Sequence, residues 1–195
     1  RGSAVKRLRL SPKGRLRRNV AALLLLFLTV LLIRRPAFTF PQAVEQIQDL
    51  YHLGPVASAH WYPEEQHCVL RCDRWYAVCP LERGRFYFWD TWEPGYWGLT
   101  AAPVEDAPLS VCGLCYSDII FGLCSDPAIE AVRLTYTDGE NTHTVETSPG
   151  EGGLFLYHCP EALLEYSRYT AQGLDGQGQV LYTVTRSVIY ENELI

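Results

Sequence analysis

The sequence predicts a mainly β chain: an N-terminal transmembrane helix, one amphipathic helix, then antiparallel β hairpins and a C-terminal antiparallel β-sandwich. Three observations carry that expectation. A single uninterrupted apolar run, Val20–Ile33, lies near the N-terminus between arginines. One capped stretch of helical spacing follows it. Beyond about residue 55 the chain becomes short runs of aromatic and β-branched residues separated by turn chemistry.

Charge sets the frame for the first element. Residues 1–35 hold ten Lys/Arg and no Asp or Glu, whereas from Pro36 onward there are seven arginines, no lysine and all 22 acidic residues, a net charge of -15. Such a split places the two parts in different surroundings, one beside anionic phosphate and one in free solution. An acidic surface of that size repels a polyanion, so no nucleic-acid partner is expected. The chain opens at Arg1 and contains no methionine, so a longer natural tail is expected.

The fourteen residues from Val20 to Ile33 carry no charge. Two readings compete for them. A cleaved secretory signal suits the length, since the run spans only about 21 Å as a helix against a hydrocarbon core of about 30 Å. An uncleaved signal anchor suits three other features: the long basic segment ahead of the core, the pair Arg34-Arg35 directly after it, and the lack of an Ala-x-Ala cleavage site. Arginine stems reach the interface from both ends and relieve the mismatch, so the anchor is preferred. Most of the cations precede the core, which keeps the N-terminus cytoplasmic and puts everything after Arg35 outside. The expected localisation is a single-pass cell-membrane protein, its membrane partner met through residues 20–33.

Thr39-Phe-Pro-Gln42 has the form of a capping box, and apolar residues recur at Phe40, Ala43, Val44, Ile47, Leu50 and Tyr51 before Gly54-Pro55. A helix from Pro41 to His52 follows from start and stop signals at helical spacing. Its polar face is Gln, Glu and Asp without Lys or Arg, which suits packing on the neighbouring domain better than lying on a membrane.

Period-two runs then appear at Val56–Trp61, His67–Cys72, Trp75–Leu81 and Arg85–Trp89, the last two expected as a hairpin turning at Glu82-Arg-Gly84. A Pro/Ala/acid-rich link is expected over Ala101–Pro108. A second set follows at Ile129–Thr137, Asn141–Thr147, Leu154–Tyr157, Tyr166–Leu174 and Gln179–Thr185, with turns at Asp138-Gly139 and Asp175-Gly-Gln-Gly178. The expected organisation is a basic cytoplasmic tail over 1–19, a signal anchor over 20–35, a juxtamembrane amphipathic helix over 36–54, an aromatic-rich β region over 55–107 and a β-sandwich over 108–195.

With Thr137-Asp-Gly139 and the late Leu174-Asp-Gly-Gln-Gly-Gln-Val180, the stretch from Asp126 to Thr185 resembles the small immunoglobulin-like sandwich of anchored extracytoplasmic proteins of Gram-positive bacteria. The resemblance covers about a third of the chain and rests on turns and alternation. It implies a fold and a bacterial surface location, and no functional residues.

Seven cysteines stand at Cys68, Cys72, Cys79, Cys112, Cys115, Cys124 and Cys159. Outside the cell an odd number leaves at least one thiol free or paired between chains. Cys112-Gly-Leu-Cys115 has the spacing of half a zinc site or of a redox pair, and Cys68-x3-Cys72 beside His67 is the only apparent second half. Buried thiols or simple disulfides are preferred, because Cys68 and Cys72 sit in runs of ordinary apolar character. His158 adjoins Cys159, but neighbours on a strand face opposite sides, so that histidine does not serve that thiol as a base.

The most unusual stretch is Phe86–Trp97, with seven aromatic rings in twelve residues. Flat rings beside carboxylates suit a sugar-binding face, and Trp92, Tyr96 and Trp97 are the candidate surface-binding residues; a strand buried on both faces or a lid over an open sheet end is the preferred account of the segment. No nucleophile elbow, phosphate loop, zinc-protease motif or calcium loop is present, so no catalytic residue, metal or cofactor is assigned. The expected role is a non-enzymatic extracytoplasmic module with a protein partner at the cell surface. The alternative is a domain that binds or cleaves polysaccharide through segment 86–97.

Overall fold

The computed structural model describes residues 12–95, 98–113, 118–137, 141–160 and 168–187. The chain divides into two compact units, residues 1–36 and 37–195.

In the first, α1 (Pro12–Arg34) is a helix of 23 residues with no buried side chain. At 1.5 Å per residue it is about 34 Å long. It is the one helix among the described residues long and apolar enough to cross a membrane. Helix therefore begins well before the apolar run, in turns of the basic segment bearing Lys13, Arg15, Arg17 and Arg18. Proline fits the opening turn, where its missing N–H is not needed, and Arg34 faces the negative end of the helix.

The second unit opens with α2 (Phe40–Tyr51), one residue off the expected bounds. Thr39 caps it by accepting from the Gln42 N–H while the Gln42 side chain returns the bond to Thr39, and His52 closes it in the left-handed region at φ 54°. Ala43, Val44 and Ile47 are buried. They pack on a five-stranded antiparallel sheet built from β1 (Val56–Tyr62), β2 (His67–Cys72), β3 (Trp75–Phe86), β4 (Trp89–Pro94) and β5 (Thr100–Pro103), ordered β1-β2-β3-β4, with β5 pairing the first half of β3.

Here the structure corrects the sequence reading. β3 does not turn at Glu82-Arg-Gly84 but runs through it to Phe86, and the reversal falls at Tyr87-Phe88, with Tyr87 at φ 55°. Arg83 belongs in the strand because its guanidinium lies 3.6 Å from the centre of the Trp92 ring directly opposite. Gly84 pairs with Thr91 in the same ladder. The stretch expected as a link contributes β5.

Two strands that alternation does not reveal, β6 (Leu109–Gly113) and β7 (Ile119–Cys124), form a three-stranded sheet with β10 (Leu154–His158), in the order β10-β7-β6. The remaining sheet has the order β12-β11-β8-β9, from β8 (Ala131–Thr137), β9 (Thr142–Thr147), β11 (Arg168–Leu174) and β12 (Val180–Ser187). All these strands sit where the sequence places them to within two residues. The expected Asp138-Gly139 turn lies outside the described residues. The second turn forms around Asp175, whose carboxylate accepts from the N–H groups of Gln177 and Gln179.

Side chains stack these elements into four layers. Cys68, Leu70, Cys79, Leu81 and Trp92 face α2, while Val69, Tyr76 and Val78 from the same strands meet Cys112, Ile119, Phe121, Leu123, Leu154 and Leu156 of the three-stranded sheet. The other face of that sheet, with Val111, Ile120 and Phe155, packs on Val132, Leu134, Tyr136, Tyr169 and Ala171 of the four-stranded sheet. The three-stranded sheet is thus apolar on both faces. The exposed face of the four-stranded sheet is polar, and Thr144, Thr135, Thr170 and Thr185 form one row across all four strands.

Candidate functional site

The aromatic segment divides into an inner and an outer part. Trp92 is only 6% exposed. Its ring meets Trp61 edge-on at 4.6 Å and Phe40 at 5.3 Å, Arg83 covers one face, and its N–H donates to the Ala37 carbonyl at 2.8 Å. Trp92 is therefore a packing centre joining α2 to β4, not a surface ring. Tyr96 and Trp97 lie outside the described residues. The exposed rings are instead those of the β3–β4 turn: Tyr87, Phe88 at 91% exposure, and Trp89. Phe38, also exposed, meets Phe86 and Trp89 edge-on, each at 6.4 Å. Arg85 and Asp90 flank the tip as an exposed pair at 3.8 Å.

Sequence reasoning misses this tip because Tyr-Phe is not turn chemistry. The available signal was Phe38 itself, an exposed aromatic four residues past the apolar helix, together with the run of four aromatics at 86–89.

No protein-family model, curated protein or solved structure matches the chain. Functional inference therefore rests on its own chemistry.

The six described cysteines are all free and buried, and Cys115 lies outside the described residues. Burial pushes the thiols of Cys79, Cys112, Cys124 and Cys159 up to about 12, and Cys68 also rises. Cys112 lies between the first two sheets, whereas Cys68 and Cys79, opposite one another on β2 and β3, lie under α2. A joint site of Cys112 with Cys68 is thereby separated by a sheet. Among the described residues no three His, Cys, Asp or Glu side chains come together as a metal site. His158 is exposed and pairs with Asp118 at 2.7 Å, while Cys159 is buried in the core behind it.

One open groove of about 540 Å³ is lined by Arg71, Glu105, Asp106, Ser125 and Asp126 among others. Two of its carboxylates are already engaged. Glu105 holds Arg186 at 2.5 Å. Asp126 accepts from the Ala128 N–H at 2.9 Å and the Tyr182 hydroxyl at 2.7 Å, and these bonds hold its carboxyl below the usual range.

Proposed function

We propose that the chain is a single-pass membrane protein with a cytoplasmic N-terminus, whose residues 37–195 form a non-enzymatic interaction module outside the membrane, directed at a protein partner on the cell surface. The observation that carries the reading is α1: it bears fourteen consecutive uncharged residues, all apolar but Thr29, and buries none of them in protein. In water that surface would be strongly unfavourable, and a bilayer is the environment that removes the penalty. The charge split on either side of Pro36 supplies the orientation.

We read the second half of the module as an immunoglobulin-like sandwich of the kind carried by anchored proteins of Gram-positive bacteria. Seven antiparallel strands from Leu109 to Ser187 support this, with β6, β7 and β10 in one sheet and β9, β8, β11 and β12 in the other. The chain changes sheet after its second, fourth and fifth strands, so β9, the fourth strand, pairs with β8 instead of joining the first sheet as the fourth strand of a constant-type immunoglobulin domain does. Such folds present strand faces and end loops to partners and host no chemistry by default. The polysaccharide reading loses Trp92, which is inside.

A crosslinking pull-down from native membranes tests the role, using the full chain and a Trp89→Ala variant, with proteins and glycans both analysed. Recovery of one specific protein by the wild-type chain is the expected result. Recovery of wall glycan instead, lost with the still-folded variant, would overturn the proposal in favour of polysaccharide binding.

A further inference from the structure

The exposed aromatic tip touches residues that follow the anchor closely in sequence. Helix α1 ends at Arg34, and Ala37 follows three residues later, a tether of at most about 11 Å. Ala37 is fully buried, and its carbonyl accepts from the N–H of Trp92 in β4. The next residue, Phe38, packs on Phe86 and Trp89 at the two ends of the β3–β4 turn. Chain leaving the membrane is therefore fastened directly to the hairpin whose tip is Tyr87-Phe88.

The composition of that tip fits one environment. Phe88 is 91% exposed, Tyr87 60%, Trp89 50% and Phe38 41%, a contiguous aromatic cluster; the other exposed large apolar side chains described in this unit are Leu50, Trp75, Val180 and Leu181. Exposed patches of this kind mark interaction sites. Aromatic rings with polar handles favour the boundary between hydrocarbon and headgroups. From Arg83 to Trp89 the hairpin carries no acidic residue, and the first one after it, Asp90, is paired with Arg85, so the acidic charge of the domain is kept off the tip. Arg85, on the hairpin itself, supplies a cation suited to lipid phosphate beside the tip.

We infer that the β3–β4 tip, Phe86–Trp89 with Phe38, inserts into the outer interface of the same bilayer that α1 crosses, giving the module a second point of membrane contact and holding it close to the surface. This rests on the anchor reading above. The tip side chains make the contact, while buried Trp92, with the exposed Arg83 laid over its ring, stiffens the hairpin that carries them.

The test uses the full chain in native membranes with a photo-reactive benzoylphenylalanine at position 88 and, as a control, at Thr144 on the exposed face of the four-stranded sheet. Phe88 is almost wholly exposed, so the replacement leaves the core intact. Irradiation is expected to give phospholipid adducts at position 88 and none at 144. In parallel, brominated lipids should quench a part of the tryptophan emission that is lost in Trp89→Phe. Carbonate extraction separates the two layers of the proposal. A chain that resists extraction but gives only protein adducts, or none, at position 88 overturns lipid insertion of the tip and leaves the anchor standing. A chain released by carbonate overturns both.

Discussion

Replacing Gly122 by alanine is expected to destabilise the module strongly. Gly122 is the midpoint of β7, the central strand of the sheet that is apolar on both faces, and it stands between Val111 of β6 and Phe155 of β10. A Cβ there would overlap the Ser110 carbonyl and the edge of the Phe155 ring. The carbonyl is backbone and cannot rotate away, and Phe155 is fully buried, so relief requires the sheet to shift between two packed layers. Overpacking of this kind costs about 3 kcal/mol or more. For a unit of this size that lowers the thermal midpoint by roughly 6–12 °C. Gly178→Ala is the control. It has φ 76° and nothing within 4 Å of the added methyl, so only the left-handed backbone cost of about 1 kcal/mol applies. Denaturant unfolding of the full chain in detergent, followed by tryptophan emission, measures both. Equal losses for the two glycines would contradict the three-sheet packing.

The second large effect concerns thiol chemistry. In a Cys115→Ser chain prepared under reductant, the remaining six cysteines are buried. For four of them burial raises the thiol from 9.0 to about 12, which leaves on the order of a thousandfold less thiolate at neutral pH. Maleimide is therefore expected to modify none of the six over hours in the native state and all six within minutes in guanidinium. Rapid native labelling of one of them would show an accessible thiol where the packing allows none. The same burial has a pH consequence. The folded values lie above the unfolded ones, so the stability these thiols contribute is fully present below about pH 9 and is lost as pH rises toward 12. Buried Tyr76 and Tyr169, also raised by desolvation, add to the alkaline loss. Unfolding midpoints between pH 7 and 11 should fall monotonically over the upper part of that range.

How far the fold is legible in the sequence depends on how many faces of each element are covered. β8 reads clearly because Val132, Leu134 and Tyr136 are buried while Arg133 and Thr135 face outward. Helix α2 reads clearly because its capping box and its single buried face are both local. β6 and β7 have every position buried, so alternation vanishes and the strands pass for undifferentiated apolar sequence. The β3–β4 hairpin misleads for a different reason. Glu82-Arg-Gly84 carries turn residues, yet the contact of Arg83 with Trp92 depends on the partner strand and is not visible locally. The candidate surface follows the same logic. Segment 86–97 is conspicuous in composition, but which of its rings face outward depends on where the strand turns, and a displacement of a few residues sends Trp92 inside and Phe88 out.

Placement across the membrane is the central claim, and protease protection tests it most directly. The full chain would carry one epitope before Arg1 and another, on a flexible extension, after Ile195, and protease would be added to intact cells. Loss of the C-terminal epitope with retention of the N-terminal one on a cell-associated fragment is the predicted result. Protection of the C-terminal epitope until the cells are lysed, or recovery from the medium of a chain lacking residues 1–35, would contradict it.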